Sequence, residues 1–178
     1  MMVLVLSVVL AACGGDDAAT DSDSSDTATD GPKELNLVFA SEPPSLHSAL
    51  ATDTTSGAVI QNVFEGLMSM KDGKPVPAAA ESYEVSEDLL TYTFKLRDAK
   101  WTNGDPVTAE DFAYSWKWAL NPENASDYAS ILYPIKGAQA YNNAEGAVED
   151  LGIKVIDEKT IEVTLEAPTP YFLELTAF

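Results

Sequence analysis

Residues Tyr92, Phe94 and Leu96 are apolar where Thr91, Thr93 and Lys95 are polar, the period-two pattern of a strand with one buried face. Such a strand needs partners in a sheet. Tyr83 and Val85 supply its partner across a turn at Glu87-Asp88. A second alternating pair lies far downstream, where Ile153 and Val155 face Ile161, Val163 and Leu165 across Asp157-Glu158-Lys159. Between the two pairs the spacing turns helical. A helix starts near Ala109, with Thr108 accepting its orphan N–H groups, Glu110 and Asp111 at the positive end of its dipole, and Phe112, Trp116 and Ala119 as its inner stripe. Asn121-Pro122 ends it, because the residue before a proline is biased out of the helical region. The expected fold class is mixed α/β.

The flanking segments read as follows. Leu35, Leu37 and Phe39 alternate as a strand beginning at Glu34, and an extended loop with two prolines follows. Val59, Ile60, Val63, Phe64 and Leu67 recur at helical spacing, with Thr54, Thr55 or Ser56 as N-cap and Gly66 near the far end. Lys71-Asp72-Gly73-Lys74 and the stretch from Trp101 to Pro106 are turns, and Ala138 to Tyr141 is a short helix. Thr169-Pro170 starts a last helix, with proline at its first position and Phe178 inside it. Exposed apolar surface is expected around Tyr171, Phe172, Leu173 and Phe178. Arg97 and Asp98 are candidates for a structural ion pair, which on an exposed strand end contributes only about 0–1 kcal/mol. Tyr92, Phe94, Trp101, Phe112, Trp116 and Trp118 read as core and boundary aromatics.

Charge and rare residues remove whole classes of function. The chain of 178 residues is 46% apolar, enough for a real core, and sets 29 acidic against 10 basic residues for a formal charge of −19. Phosphate backbones would be repelled, so no nucleic-acid partner is expected. One cysteine and one histidine allow no disulfide within the chain and no four-ligand zinc site of the all-thiolate or mixed thiolate-imidazole kind, and no metal or other cofactor is expected. A carboxylate-based hydrolase is not excluded by counting, but the acids are scattered over turns, strand ends and the acidic segment near the amino terminus.

That terminus reads as an address. Residues 1–12 carry no charge and are nearly all apolar, too short for a bilayer core of about 20 helical residues but of signal-peptide length. They end in Leu10-Ala11-Ala12-Cys13, which resembles a bacterial lipobox and makes Cys13 the expected site of lipid attachment. No basic residue precedes this run, the first being Lys33. Residues 13–33 form the lipidated cysteine and an acidic Asp/Ser/Thr/Ala tether with nothing to bury. The expected location is extracytoplasmic, anchored to the membrane through the lipid.

Three strings carry a specific resemblance: SEPPSLHSALATDTTSGAVIQNVFEGL, then PAAAESYEVSEDLLTYTFKLRDAKWTNGDPVTAEDFAYSWKWAL, then VIDEKTIEVTLEAPTPYFLELTAF. In that order they resemble the opening part of the oligopeptide-binding lipoproteins of ABC importers, family 5 of the solute-binding proteins. The resemblance implies the first-lobe portion of a two-lobed, periplasmic-binding-protein-like fold, with the second lobe absent. Residues 34–64 would be the amino-terminal edge of the ligand-binding subdomain, and residues 65–178 the accessory subdomain, truncated at its end. It also implies a ligand backbone held as an added strand at Thr52, Asp53 and Thr54, with Tyr128 as a cleft wall near the ligand's amino-terminal part. His47 stands where the family usually has aspartate, and as the lone histidine it reads as a solvated loop residue. The implied function is a non-enzymatic component that delivers oligopeptides to ABC permease subunits, with this length alone not expected to bind peptide tightly. Alternatives are a non-transport surface lipoprotein used in adhesion or sensing and, further off, the hydrolase.

Overall fold

Backbone pairing follows the two alternating hairpins. The computed structural model describes residues 36–177, of which Val38 onward belongs to one compact unit. In chain order that unit holds α1 (Thr54–Val63), β1 (Met68–Lys71), β2 (Lys74–Pro77), β3 (Ala80–Val85), β4 (Thr91–Leu96), α2 (Ala109–Leu120), α3 (Ala138–Asn142), β5 (Ile153–Asp157), β6 (Thr160–Thr164) and α4 (Phe172–Leu175). Single 3₁₀ turns occupy Pro122–Asn124, Ala129–Leu132 and Val148–Asp150. A four-stranded antiparallel sheet has the order β3-β4-β6-β5, and β1 with β2 forms a separate hairpin. In that hairpin Asp72 and Gly73 have φ of 51° and 72°, the doubly left-handed turn that matches the twist of two paired strands.

Register follows the alternation. Tyr83 lies opposite Phe94 and Val85 opposite Tyr92, while Phe94 also faces Ile161 and Tyr92 faces Val163. These pairs put the apolar residues of β4 and β6 on one face, where Phe94, Ile161 and Val163 are fully buried. Helix α2 covers that face and packs on β5 and β6. Its innermost residues are Ala109, Ala113 and Leu120, rather than the expected stripe of Phe112, Trp116 and Ala119, which is only half-buried. Small side chains let the helix backbone approach the sheet, and the aromatic rings are displaced to its flank. Thr108 is the N-cap of α2, as expected, and Asp111 reaches back to it. The Asp111 carboxylate accepts both the Thr108 N–H, at 2.7 Å, and its hydroxyl, at 3.0 Å.

Other expectations are corrected. Residues 36–39 form no strand, since no neighbouring strand among the described residues pairs with them, and Val38 is almost wholly exposed. The N-cap of α1 is Asp53, one residue ahead of the candidates, and it accepts the Ser56 N–H at 2.9 Å. The apolar stripe of α1 is not its buried face: Ser56 is its fully buried residue, Val63 and Phe64 are exposed, and Leu67 is buried beyond the helix.

Arg97 does not pair with the Asp98 carboxylate; both lie just beyond the end of β4, Asp98 in a bend. Its guanidinium instead meets Glu65 and donates to the carbonyl of Ala78 at 3.0 Å, and Asp98 pairs with Lys159 at 3.6 Å. Trp101 is exposed and belongs to no core. Helix α4 starts at Phe172, not at Pro170, after a turn in which the Phe172 N–H donates to the Thr169 carbonyl at 3.0 Å. Phe172, expected at the surface, is buried, whereas Tyr171 is exposed. The signal segment, Cys13, the tether and Phe178 lie outside the described residues.

Candidate ligand cleft

The displaced aromatic stripe of α2 has a structural consequence. Phe112, Trp116 and Ala119 line a cleft of about 260 Å³ together with Ile60 and Phe64 of the α1 region and Leu175 of α4. Of the apolar residues read as the α1 stripe, Ile60 and Phe64 line this cleft, whereas Val59 and Val63 do not. Glu65 is the one carboxylate among the lining residues described, and the Arg97 guanidinium holds it. Among the described residues no group of three His, Cys, Asp or Glu side chains is placed to hold a metal ion. The cleft offers apolar surface, hydroxyls from Ser115 and Ser126, and backbone groups. Such a lining suits enclosure of a ligand by shape and backbone hydrogen bonds.

Two loops contribute to its lining, and a hydrogen bond joins them. Residues 45–51 form a compact turn in which the His47 carbonyl accepts the N–H groups of Leu50 and Ala51, each at 3.0 Å. The Ser126 hydroxyl donates to the Ala49 carbonyl at 2.5 Å, across a sequence separation of 77. Ala49, Ala51, Ser126 and Tyr128 all line the cleft. The residues singled out from sequence thus separate into two groups. Tyr128 is on the cleft wall, half exposed, with its carbonyl accepting the Ile131 N–H at 3.0 Å. Thr52, Asp53 and Thr54 follow immediately after the lining residue Ala51 but are not themselves part of the lining. Thr52 is exposed and Thr54 is the first residue of α1. Asp53 is extended, and hydrogen bonds from Ser56, side chain first and backbone second, hold its carboxyl below the ordinary value of 3.8.

His47 is exposed yet not freely solvated, because its ring lies against that of Trp118 with centroids 4.4 Å apart and planes at 32°. Its Nδ1 accepts the Ala49 N–H at 3.2 Å. Sequence reasoning missed Phe112 and Trp116 as cleft residues, although their helical spacing was the available signal. It also missed Ser126, for which no signal exists, since a hydroxyl bonding a distant carbonyl leaves no periodicity.

Residues 74–178 match the profile described as bacterial extracellular solute-binding proteins, family 5 Middle. The chain belongs to that family. It is 48% identical over 99% of its length to the oligopeptide-binding protein OppA of Bacillus subtilis and 42% identical over 99% to the dipeptide-binding protein DppE of the same organism. In each case it covers 33% of the relative. Among solved structures it resembles the substrate-binding domain of an oligopeptide ABC transporter from Bacillus anthracis, with a TM-score of 0.79, 47% identity, and coverage of 81% of this chain and 28% of that one. It also resembles Listeria monocytogenes OppA bound to peptide, with a TM-score of 0.78, 43% identity, and coverage of 81% and 29%. The chain therefore spans about a third of the length of these family members, and its mixed helix-and-sheet fold is that of part of their substrate-binding domain.

Proposed function

We propose that this chain is part of an extracytoplasmic, lipid-anchored binding component of an ABC importer, which holds oligopeptides and passes them to permease subunits without chemistry of its own. The observation that carries this reading is the likeness to the peptide-bound Listeria protein, at 43% identity over 81% of this chain. In this reading residues 34–64 are the edge of the ligand-binding subdomain and residues 65–178 the accessory subdomain. The backbone at Thr52, Asp53 and Thr54 adds to an extended peptide as a strand would, and Tyr128 covers part of it with an amphipathic ring. The Ser126 to Ala49 hydrogen bond supports the pairing of these two segments, because it fixes the loop before Thr52 to the loop that carries Tyr128.

Peptide seated on this length of chain is contacted from one side, and association costs at least about 4 kcal/mol before any contact is gained. Affinity of about 1 mM or weaker is expected. Titrating the chain with a pool of short peptides while following its amide resonances tests the site. Shifts confined to Thr52–Thr54 and the surroundings of Tyr128 are the expected result. Shifts elsewhere only overturn the assignment.

The lipid anchor is a separate arm of the proposal and rests on Leu10-Ala11-Ala12-Cys13. Labelling cells with a radiolabelled fatty acid should mark the wild type and not Cys13→Ser, which should leave the membrane fraction. An unlabelled wild-type protein overturns it.

A further inference from the structure

We propose that His47 is a positioning residue of the cleft: its uncharged imidazole holds the turn that leads into Thr52, and protonation of the ring releases that turn. The peptide units on either side of Ala49 are fixed in opposite directions. Its N–H donates to His47 Nδ1 at 3.2 Å, and its carbonyl accepts the Ser126 hydroxyl at 2.5 Å. The first of these links a side chain to the N–H two residues on, the same reach by which asparagine and aspartate fix a turn. Here an imidazole does that work, and the Trp118 ring at 4.4 Å sets its orientation.

A neutral imidazole has one accepting nitrogen and one N–H, whereas an imidazolium has two donors and no acceptor. Since the Ala49 N–H can only donate, the arrangement requires Nδ1 bare and the proton on Nε2. Adding a proton at Nδ1 sets two donors facing each other, and the ring must turn away or the loop must open. The charged side chains on the packed elements are Glu110, Asp111 and Lys117 of α2 and Glu123 and Asp127 of the loop after it, with Glu42 and Asp53 on the segment of His47 itself. Among the described residues His47 makes no ion pair, and the Asp53 carboxylate is engaged by Ser56. Histidine is the side chain whose charge ordinarily changes between about pH 5 and 8. Residues 45–51 are therefore ordered toward neutral pH and loosened by acid, and Ala49 and Ala51 on the cleft wall move with them.

Any consequence for peptide binding rests on the functional reading above, but the loop can be measured with no peptide present. Exchange of the Ala49 amide, corrected for intrinsic rate, is followed in the intact chain from about pH 8 to about pH 5. Wild type should lose protection by about tenfold on acidification, the size of one net hydrogen bond. His47→Asn should keep the protection at both pH values, because an amide oxygen accepts and does not titrate. His47→Phe, which keeps a ring beside Trp118 but has no acceptor, should be unprotected throughout. Wild-type protection that does not change with pH, protection surviving in His47→Phe, or protection lost in His47→Asn each overturns the proposal. Peptide titration of the same variants is read separately. If the loop behaves as stated and peptide shifts do not follow it, the functional reading fails and the His47 device stands.

Discussion

The ring of Phe172 sits 4.9 Å from that of Tyr92 at an angle of 58°, so α4 is fastened to the sheet by an aromatic pair. A helix of only four residues cannot hold itself by its own hydrogen bonds. Phe172, only 1% exposed, is its anchor. Phe172→Ala should cost about 3–5 kcal/mol in urea unfolding. A loss below about 1 kcal/mol would show that α4 does not depend on this contact.

Two glycines should respond to alanine in opposite directions. Gly137 has φ of 74°, and an added Cβ would lie 2.6 Å from the backbone oxygen of Asp150, so Gly137→Ala combines strain with a clash that no side-chain rotation relieves. It should destabilise by more than about 1 kcal/mol. Gly57, inside α1, has nothing within 4 Å of the same position, and Gly57→Ala should stabilise by about 0.5–1 kcal/mol. Thermal unfolding of both variants checks the pair, and equal shifts would contradict the geometry.

Ser126→Ala leaves the Ala49 carbonyl without its hydroxyl partner. Stability should fall by only about 0.5–1.5 kcal/mol, because water can reach the carbonyl, and the effect should be local. Amide exchange at Leu50 and Ala51 should rise while the β4 and β6 amides stay unchanged. Faster exchange across the sheet would mean that the bond supports the fold and not the cleft.

Asp53 gives α1 an acid-sensitive start. Its carboxyl titrates below the ordinary 3.8 in the folded chain because Ser56 donates to the charged form. A depressed folded value means that the contribution is complete above the unfolded value and is lost as pH falls below about 4 through the folded one. Asp53→Asn keeps an N-capping acceptor that does not ionise. The variant should match wild type at acid pH and be slightly less stable near neutrality, and an equal difference at both ends would remove the carboxylate from the account.

What the sequence disclosed depended on the range of the interaction involved. The register of β3 on β4 was legible, because opposing Tyr83 to Phe94 is the arrangement that puts both on one face. The apolar stripe of α1 was legible as a stripe but not as a lining. Spacing shows that Ile60 and Phe64 share a side of the helix and says nothing of what stands opposite. Arg97 was misassigned to its sequence neighbour, whereas its partner Glu65 lies 32 positions away. Tyr128 reached the cleft through a family likeness, since a lone tyrosine in a loop carries no pattern of its own. His47 read as solvated because a ring contact with Trp118 is set by the packing of two separate segments.

The order β3-β4-β6-β5 also fixes a timetable. Strand β4 can pair with β3 as soon as both exist, but its other edge takes β6, matching Thr91 with Thr164. Bringing those ends together requires closing a long loop before any contact compensates for it, which makes such pairings slow. A ribosome releases the outer hairpin first and the strand that seals the core much later. Until Thr160 to Thr164 emerge, Tyr92 and Phe94 remain on an open sheet edge. The moment at which this chain can become a folded body is therefore set by the arrival of its sixth strand, and no local propensity upstream can advance it.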